Sequence, residues 1–400
     1  RPQRGNDERV GAGNLTLELK NSREAMKSVS SLCVAGGRMA CGACTAPAPD
    51  SDNPTRWVDP KIGTGGHGHV FVGANVPFGL VQVGPTSIPQ SWDWCSGYHE
   101  SDSTVIGFSH THLSGTGIGD LFDVTVMPVV GEVTCARGTE DDPASGLWSY
   151  ADRSKEIARP GYYSVPLTRY GITAEMTATS RVGLHRYTFP ASDAAALVFD
   201  LENGGCWDKA TETGFRFSDD STRICGWRYS EGWAKDQRVW FVAEFSKPAK
   251  AITYLQPGEL DDSKTPRVNA RYARVDFDTA EGEQLLVKVA LSPVSIEGAE
   301  ANLAAELPGW DFETTASAAE ALWNKELAKV RIETRDETAK RIFYTALYHT
   351  MIVPSEFCDA NGDYRGADGK VHTDPGYTTY TTFSLWDTYR AAHPLFTYLC

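Results

Sequence analysis

Between Trp57 and about Glu300 the chain carries more than ten short apolar runs with no convincing helix between them. "HVFVGANVPFGLVQVGP", "LFDVTVMPVVGEVTC", "YYSVPLTRYGITAEMTATSRVGLHRYTF", "AALVFDLE", "VWFVAEFS" and "EQLLVKVALS" alternate or cluster Val, Phe and Tyr, and Gly, Pro, Asp and Asn separate them. A strand turns successive side chains to opposite faces, so runs of this kind suit strands buried on one face or both. That many strands predict a large antiparallel, all-β sandwich over residues 55–300.

The pattern changes near residue 300. Ala319, Trp323, Leu327 and Val330 recur at helical spacing, within a helical linker expected over 301–335. From 336 onward Ile342, Phe343, Ala346, Leu347 and Met351 fall along one helical face, with Asp336 and Glu337 near its start and Pro354 as its stop. "TFSLWDTYRAAHPLFTYLC" opens a third helix, with Thr382 or Ser384 as cap. Two and a half helices cannot build an independent helical core. Residues 336–400 are therefore expected to be the first part of a longer helical domain.

Composition narrows the partners. The net charge of −14 argues against nucleic acid, which needs concentrated Lys and Arg. No apolar run reaches 18 residues, so no membrane-spanning helix is expected. Nine irregularly spaced cysteines do not describe a disulfide framework, and the Cys41–Cys44 pair lacks the further ligands of a zinc site. Residues 1–54 read as a leader and disordered linker. A basic start, a small-residue stretch and Cys after Ala resemble a bacterial lipoprotein signal, which implies export to the periplasm or a lipid-anchored outer surface.

The chemistry concentrates between Ile62 and Asp120, which hold five of the nine histidines. "GTGGHGHVFVGANVPFG" lacks the GK[ST] of a phosphate loop and runs into a strand pattern. In "GFSHTHLSGTG", His110 and His112 would share one face of a strand, as metal ligands or as a hydrogen-bonded corner beside a cleft. The serine there lacks the GxSxG elbow of a hydrolase nucleophile. "SWDWCSGYH" sets Trp92, Trp94 and Tyr98 beside Asp93. That chemistry recognises sugars, whose C–H faces stack on aromatics while hydroxyls bond to carboxylates; an aromatic core corner is the alternative. "FSLWDTYR" repeats the theme with Trp386 and Asp387 at a helix start, where Asp387 could equally serve the helix dipole.

Three segments together resemble glycoside hydrolase family 92, calcium-dependent exo-acting α-mannosidases: "VDPKIGTGGHGHVFVGANVPFGLVQVGP", "SWDWCSGYHESDSTVIGFSHTHLSGTGIGDLFDVTVMP" and "TTFSLWDTYRAAHPL". The resemblance runs from about Trp57 to Cys400. It implies a β-sandwich packed on an (α/α)6 barrel, of which this chain holds the first helices, with the active site in the cleft between them. It implies that Trp92 lines the −1 mannose site and that Asp387 reaches mannose hydroxyls. Asp93, His110, His112 and Trp386 fall in matching motifs. The implied substrate is terminal α-linked mannose, α-1,2 for preference, on N-glycan or mannan glycans, and the implied chemistry is inverting and calcium-assisted. The family's acid, base and most calcium ligands belong to later helices, beyond Cys400, so the chain alone is expected to be inactive. Two rival readings are a non-catalytic carbohydrate-binding sandwich and a glycoprotein-deglycosylating amidase.

Overall fold

The computed structural model describes residues 16–18, 53–88, 91–142, 144–256, 259–261, 267–373, 375–381 and 385–399. The expected leader lies almost wholly outside them. The exceptions are residues 53 and 54 and Thr16–Glu18, which pairs antiparallel with Arg331–Glu333 although the sequence placed this segment outside the fold.

Two large antiparallel sheets form the body of the described chain. One has nine strands, with Lys209–Phe217, Arg223–Glu231, Gln237–Phe245, Glu283–Ser292, Val182–Phe189 and Ile172–Ala178 as neighbours in that order. The other has eight, and its middle runs Tyr272–Thr279, Ser192–Asp200, Thr125–Val130, Gly107–Ser109 and Gln82–Thr86. Their facing side chains, among them Val126, Phe199 and Val275 from one sheet and Val165, Phe241 and Val287 from the other, make one continuous core. The fold is the sandwich that the apolar runs predicted.

The nine-stranded sheet is buried on both faces, and the alternation of its strands shows why. Tyr187 and Phe189 point into the sandwich, whereas Val182 and Leu184 point outward. Helix α1 (Ile296–Glu306) covers that outer face with Ala299 and Leu303, and Phe312 joins them. α1 is separated by "LPGWD" from α2 (Phe312–Leu327), and the side chains of Ser295 and Asp311 cap the two N-termini.

A second core lies where the glycine-rich segment meets α2 and α3 (Glu337–His349). Trp323 is fully buried, stacks near Tyr348 at 4.4 Å and donates from Nε1 to the Asn75 carbonyl at 2.7 Å. Ala319, Trp323 and Leu327 share the buried stripe of α2 as expected, but Val330 falls beyond the helix end. In α3 the buried face differs from the expected one. Tyr344, Leu347 and Tyr348 pack inward, while Ile342 and Ala346 are exposed, because aromatic rings rather than aliphatic spacing fill the space against Trp323. Asp336 caps α3, accepting from the Thr338 and Ala339 amides. The C-terminal segment contributes α4 (Leu385–Thr388) and α5 (Ala392–Leu399); the proposed caps Thr382 and Ser384 lie outside the described residues.

Candidate functional site

The glycine-rich segment and the Trp92–Trp94 turn meet at one end of the sandwich. Gly68 is required there: a Cβ would sit 1.8 Å from the Gly63 carbonyl oxygen. This close approach lets His67 and His69 both reach the turn. His67 Nδ1 lies 2.6 Å from Asp93 Oδ1, and since a carboxylate only accepts, that nitrogen carries the hydrogen. This bond is the main reason the Asp93 carboxyl is held below its ordinary pKa. The imidazole of His67 is 75% exposed, so Nε2 is left facing solvent.

His69 is the inner partner. Its side chain is only 5% exposed, and its backbone adopts φ +52°, a conformation uncommon outside glycine. The Ser96 hydroxyl donates to the His69 carbonyl and helps hold it there. The ring stands edge-on to the Trp92 indole at 4.3 Å. His69 Nε2 is enclosed and lies 3.5 Å from Asp93 Oδ1, so it too helps hold the Asp93 carboxyl down.

Trp92 itself is 47% exposed. Its Nε1 donates to the Gly117 carbonyl at 2.9 Å, which fixes the ring and leaves part of its surface to solvent. Gly117 must be glycine, since a Cβ would lie 2.6 Å from the indole. The loop after the histidine pair thus carries the ring that faces solvent.

The other aromatic residues of "SWDWCSGYH" are structural. Trp94 donates to Asp102 Oδ2 at 2.7 Å and stacks on His99. Tyr98 is buried, with its hydroxyl on Glu156 Oε2 at 3.1 Å.

The histidine pair lies off the strand on which alternation would have placed it. The strand ends at Ser109, so His110 and His112 occupy the loop that follows, and both are buried. His110 donates from Nδ1 to the Val124 carbonyl at 2.5 Å, and its Nε2 meets His185 Nε2 at 2.9 Å. His112 Nδ1 lies 2.8 Å from the Gln82 carbonyl oxygen. Burial pushes the pKa of each down to about 4, so both are neutral at pH 7. Both rings are enclosed, so any part they take in the site is as its support. Thr111 between them bonds the Asp123 carboxylate at 2.9 Å, and Asp123 pairs with the fully buried Arg228 at 2.7 Å.

Trp386 and Asp387 stand on α4, both exposed, Trp386 at 83%. Among the described residues no hydrogen bond, ion pair or ring contact joins them to Trp92 or Asp93. The connection runs through the glycine-rich segment: beyond His69, Phe71 enters the helical core, and Phe78 meets Tyr380 at 6.3 Å and Phe396 of α5 at 5.8 Å. His67 and His69 received no role from sequence; their only signal was a His-Gly-His preceded by two glycines. Among the described residues, no group of three or more His, Cys, Asp or Glu is arranged to hold a metal, so they do not by themselves form a calcium cage.

A half-exposed indole beside a hydrogen-bonded carboxylate and two imidazoles, carried on sandwich loops, has the chemical character of surfaces that stack sugar rings. The comparisons give that class a family. Residues 57–292 match the glycosyl hydrolase family 92 N-terminal domain and residues 298–400 match the family 92 catalytic domain. The chain belongs to glycosyl hydrolase family 92.

Its fold resembles that of the family GH92 alpha-mannosidase BT3965 from Bacteroides thetaiotaomicron, solved in complex with mannoimidazole. The TM-score is 0.82 at 39% identity, over 86% of this chain and 46% of that one. The GH92 inverting mannosidase BT2199 of the same organism gives a TM-score of 0.75 at 27% identity, over 88% and 46%. An uncharacterized secreted glycosidase of Arthroderma benhamiae is 26% identical over 84% of this chain and 45% of its own length. The chain thus spans a little under half the length of these relatives.

Proposed function

We propose that the chain is part of an exo-acting α-mannosidase that removes terminal α-linked mannose, α-1,2-linked for preference, from N-glycans or mannans. The observation that carries this reading is the cluster of Trp92, Asp93 and His67 at the surface, backed by the buried His69, in a family 92 chain. A mannose ring stacks on Trp92, and Asp93 and the solvent-facing Nε2 of His67 bond hydroxyls at its edge, with His69 seating Trp92 and Asp93 from within. Residues 55–300 form the sandwich side of the cleft, and the helices from 336 onward bring Trp386 and Asp387 to the other side, Asp387 onto mannose hydroxyls. His110 and His112 support the sugar site from beneath.

The proposed reaction is an inverting hydrolysis. One carboxylic acid protonates the leaving oxygen, and a carboxylate base about 6.5–9.5 Å away activates water on the opposite ring face. Both groups belong to later helices of the whole enzyme. Calcium, when bound there, supplies a hard cation for mannose hydroxyls. The described residues orient the sugar and exclude water from one of its faces. The secreted fungal relative supports export as the setting.

The test is mannose release by the full-length enzyme from α-1,2-mannobioside, with and without a calcium chelator, followed by proton NMR. β-Mannose as the first-formed anomer, and loss of activity with chelator, are expected. No release from any α-mannoside would end this reading.

A further inference from the structure

Of the chain's eleven tryptophans four are exposed: Trp92, Trp207, Trp233 and Trp386. Three of the four stand on sandwich loops distant in sequence, and one short segment, residues 117–121, holds all three. The Gly117 carbonyl accepts from Trp92 Nε1 at 2.9 Å. The Gly119 carbonyl accepts from the Trp207 amide at 2.9 Å, and the Leu121 carbonyl from the Gly205 amide at 3.0 Å. The buried Asp120 carboxylate accepts from the Trp233 amide at 3.0 Å and the Ala234 amide at 2.7 Å.

Consecutive Cα atoms are about 3.8 Å apart, so the Cα atoms of Gly117 and Asp120 lie within about 11 Å. A further link joins two of the loops directly: Cys206 Sγ lies 3.5 Å from the Ser91 carbonyl oxygen. At the end of this segment and just past it, Leu121, Phe122 and Val124 take φ values of +75°, +66° and +54°. Such conformations cost L-residues energy, Val most of all, and persist where surrounding contacts over-determine them.

Isolated exposed tryptophans are unremarkable, but three whose ring or backbone is bonded to one five-residue segment stand at the same end of the sandwich. Trp207 is 45% and Trp233 64% exposed. Charged groups flank them: Glu231 with Lys235 at 3.9 Å, Asp236 with Arg238 at 2.6 Å, and Glu202 with Arg271 at 3.1 Å. Flat apolar rings rimmed by hydrogen-bonding side chains suit pyranose rings, for the reasons already given for Trp92.

We propose that Trp207 and Trp233 form a second carbohydrate-binding surface, continuous with Trp92, that takes neutral hexose residues of the glycan beyond the terminal one. This rests on the reading of Trp92 as a sugar contact. The test measures binding of a non-hydrolysable, sulfur-linked α-mannotetraoside to the full-length protein, as wild type, Trp207→Ala and Trp233→Ala. Each variant should bind about five- to tenfold more weakly, with Tm unchanged because both rings are exposed. In kinetics, kcat/KM should fall on a branched high-mannose glycan and stay unchanged on the mannobioside.

Unchanged affinity in both variants would overturn the proposal while leaving the mannosidase reading standing. A wild type that binds no neutral oligosaccharide, or an equal loss on mannobioside and glycan with a lowered Tm, would also overturn it. If the variants lose a gluco- or xylo-oligosaccharide and the enzyme releases no mannose, the surface stands and the mannosidase reading falls.

Discussion

His110 and His185 meet Nε2 to Nε2, 2.9 Å apart, across the interior of the sandwich. Only one of the two atoms can carry the hydrogen. His110 Nδ1 already donates to Val124, so its Nε2 accepts and His185 Nε2 donates. The remaining His185 nitrogen, Nδ1, then accepts from the Tyr187 hydroxyl at 2.8 Å. The chain Tyr187→His185→His110→Val124 therefore runs in one direction and requires both rings neutral.

Burial, with each other's charge second in the case of His185, depresses the folded pKa of these rings, to about 4 for His110. The unfolded value is ~6.5. A depressed folded value means that the unfolded chain takes up protons first. The contribution of His110 is full above about pH 6.5 and falls as pH drops toward 4, by about 2 kcal/mol at pH 5, and His185 acts in the same direction. Tm measured from pH 7.5 to 4.5 should decline below pH 6.5, and His110→Gln should flatten that decline. An identical slope in the variant would contradict the assignment.

Arg228 is fully buried between Asp123 and Asp208, and also donates from Nε to the Leu201 carbonyl at 3.0 Å. Removing it leaves two carboxylates uncompensated in the core. Arg228→Met should cost about 3–5 kcal/mol in urea unfolding, with Arg228→Lys in between because a point charge cannot replace the fork. A loss under about 1 kcal/mol would show that the network relaxes.

Gly117→Ala tests the seat of Trp92. The new Cβ would press on the indole, so the ring must turn away from its carbonyl partner. In the full-length enzyme kcat/KM should fall about tenfold or more, because a sugar wall displaced by an ångström loses its orientation effect. Trp92→Ala should lose a similar amount, and the double variant little more than either alone. Additive losses would separate the two residues.

Asp387 and Trp386 are exposed on α4, so their substitution should leave Tm within about 1 °C while activity falls. Asp387→Asn in the full-length enzyme is expected to reduce kcat/KM at least a hundredfold on the mannobioside. Full activity in that variant would remove Asp387 from the sugar site.

The cores were legible wherever burial imposes a period. Strands such as Val182–Phe189 show alternation plainly, and the α2 stripe of Ala319, Trp323 and Leu327 follows helical spacing. The inward face of α3 was less legible, since Tyr344 and Tyr348, polar-tipped rings, displaced Ile342 as the buried side chains. At the site, Trp92 and Asp93 were visible as an aromatic beside a carboxylate. His67 and His69 were not, because their role arises from a backbone approach that Gly68 permits and no local pattern announces.

Sequence alone determined the sandwich, the switch to helices and the residue types able to hold a sugar, because periodicity and chemical character are local properties. Tertiary structure decided which of those side chains face solvent. Two histidines of one motif went to the core, those of another divided between surface and interior, and three distant tryptophans came to be held by one loop. Such choices depend on which segments pack together, and long-range packing is a property of the whole fold.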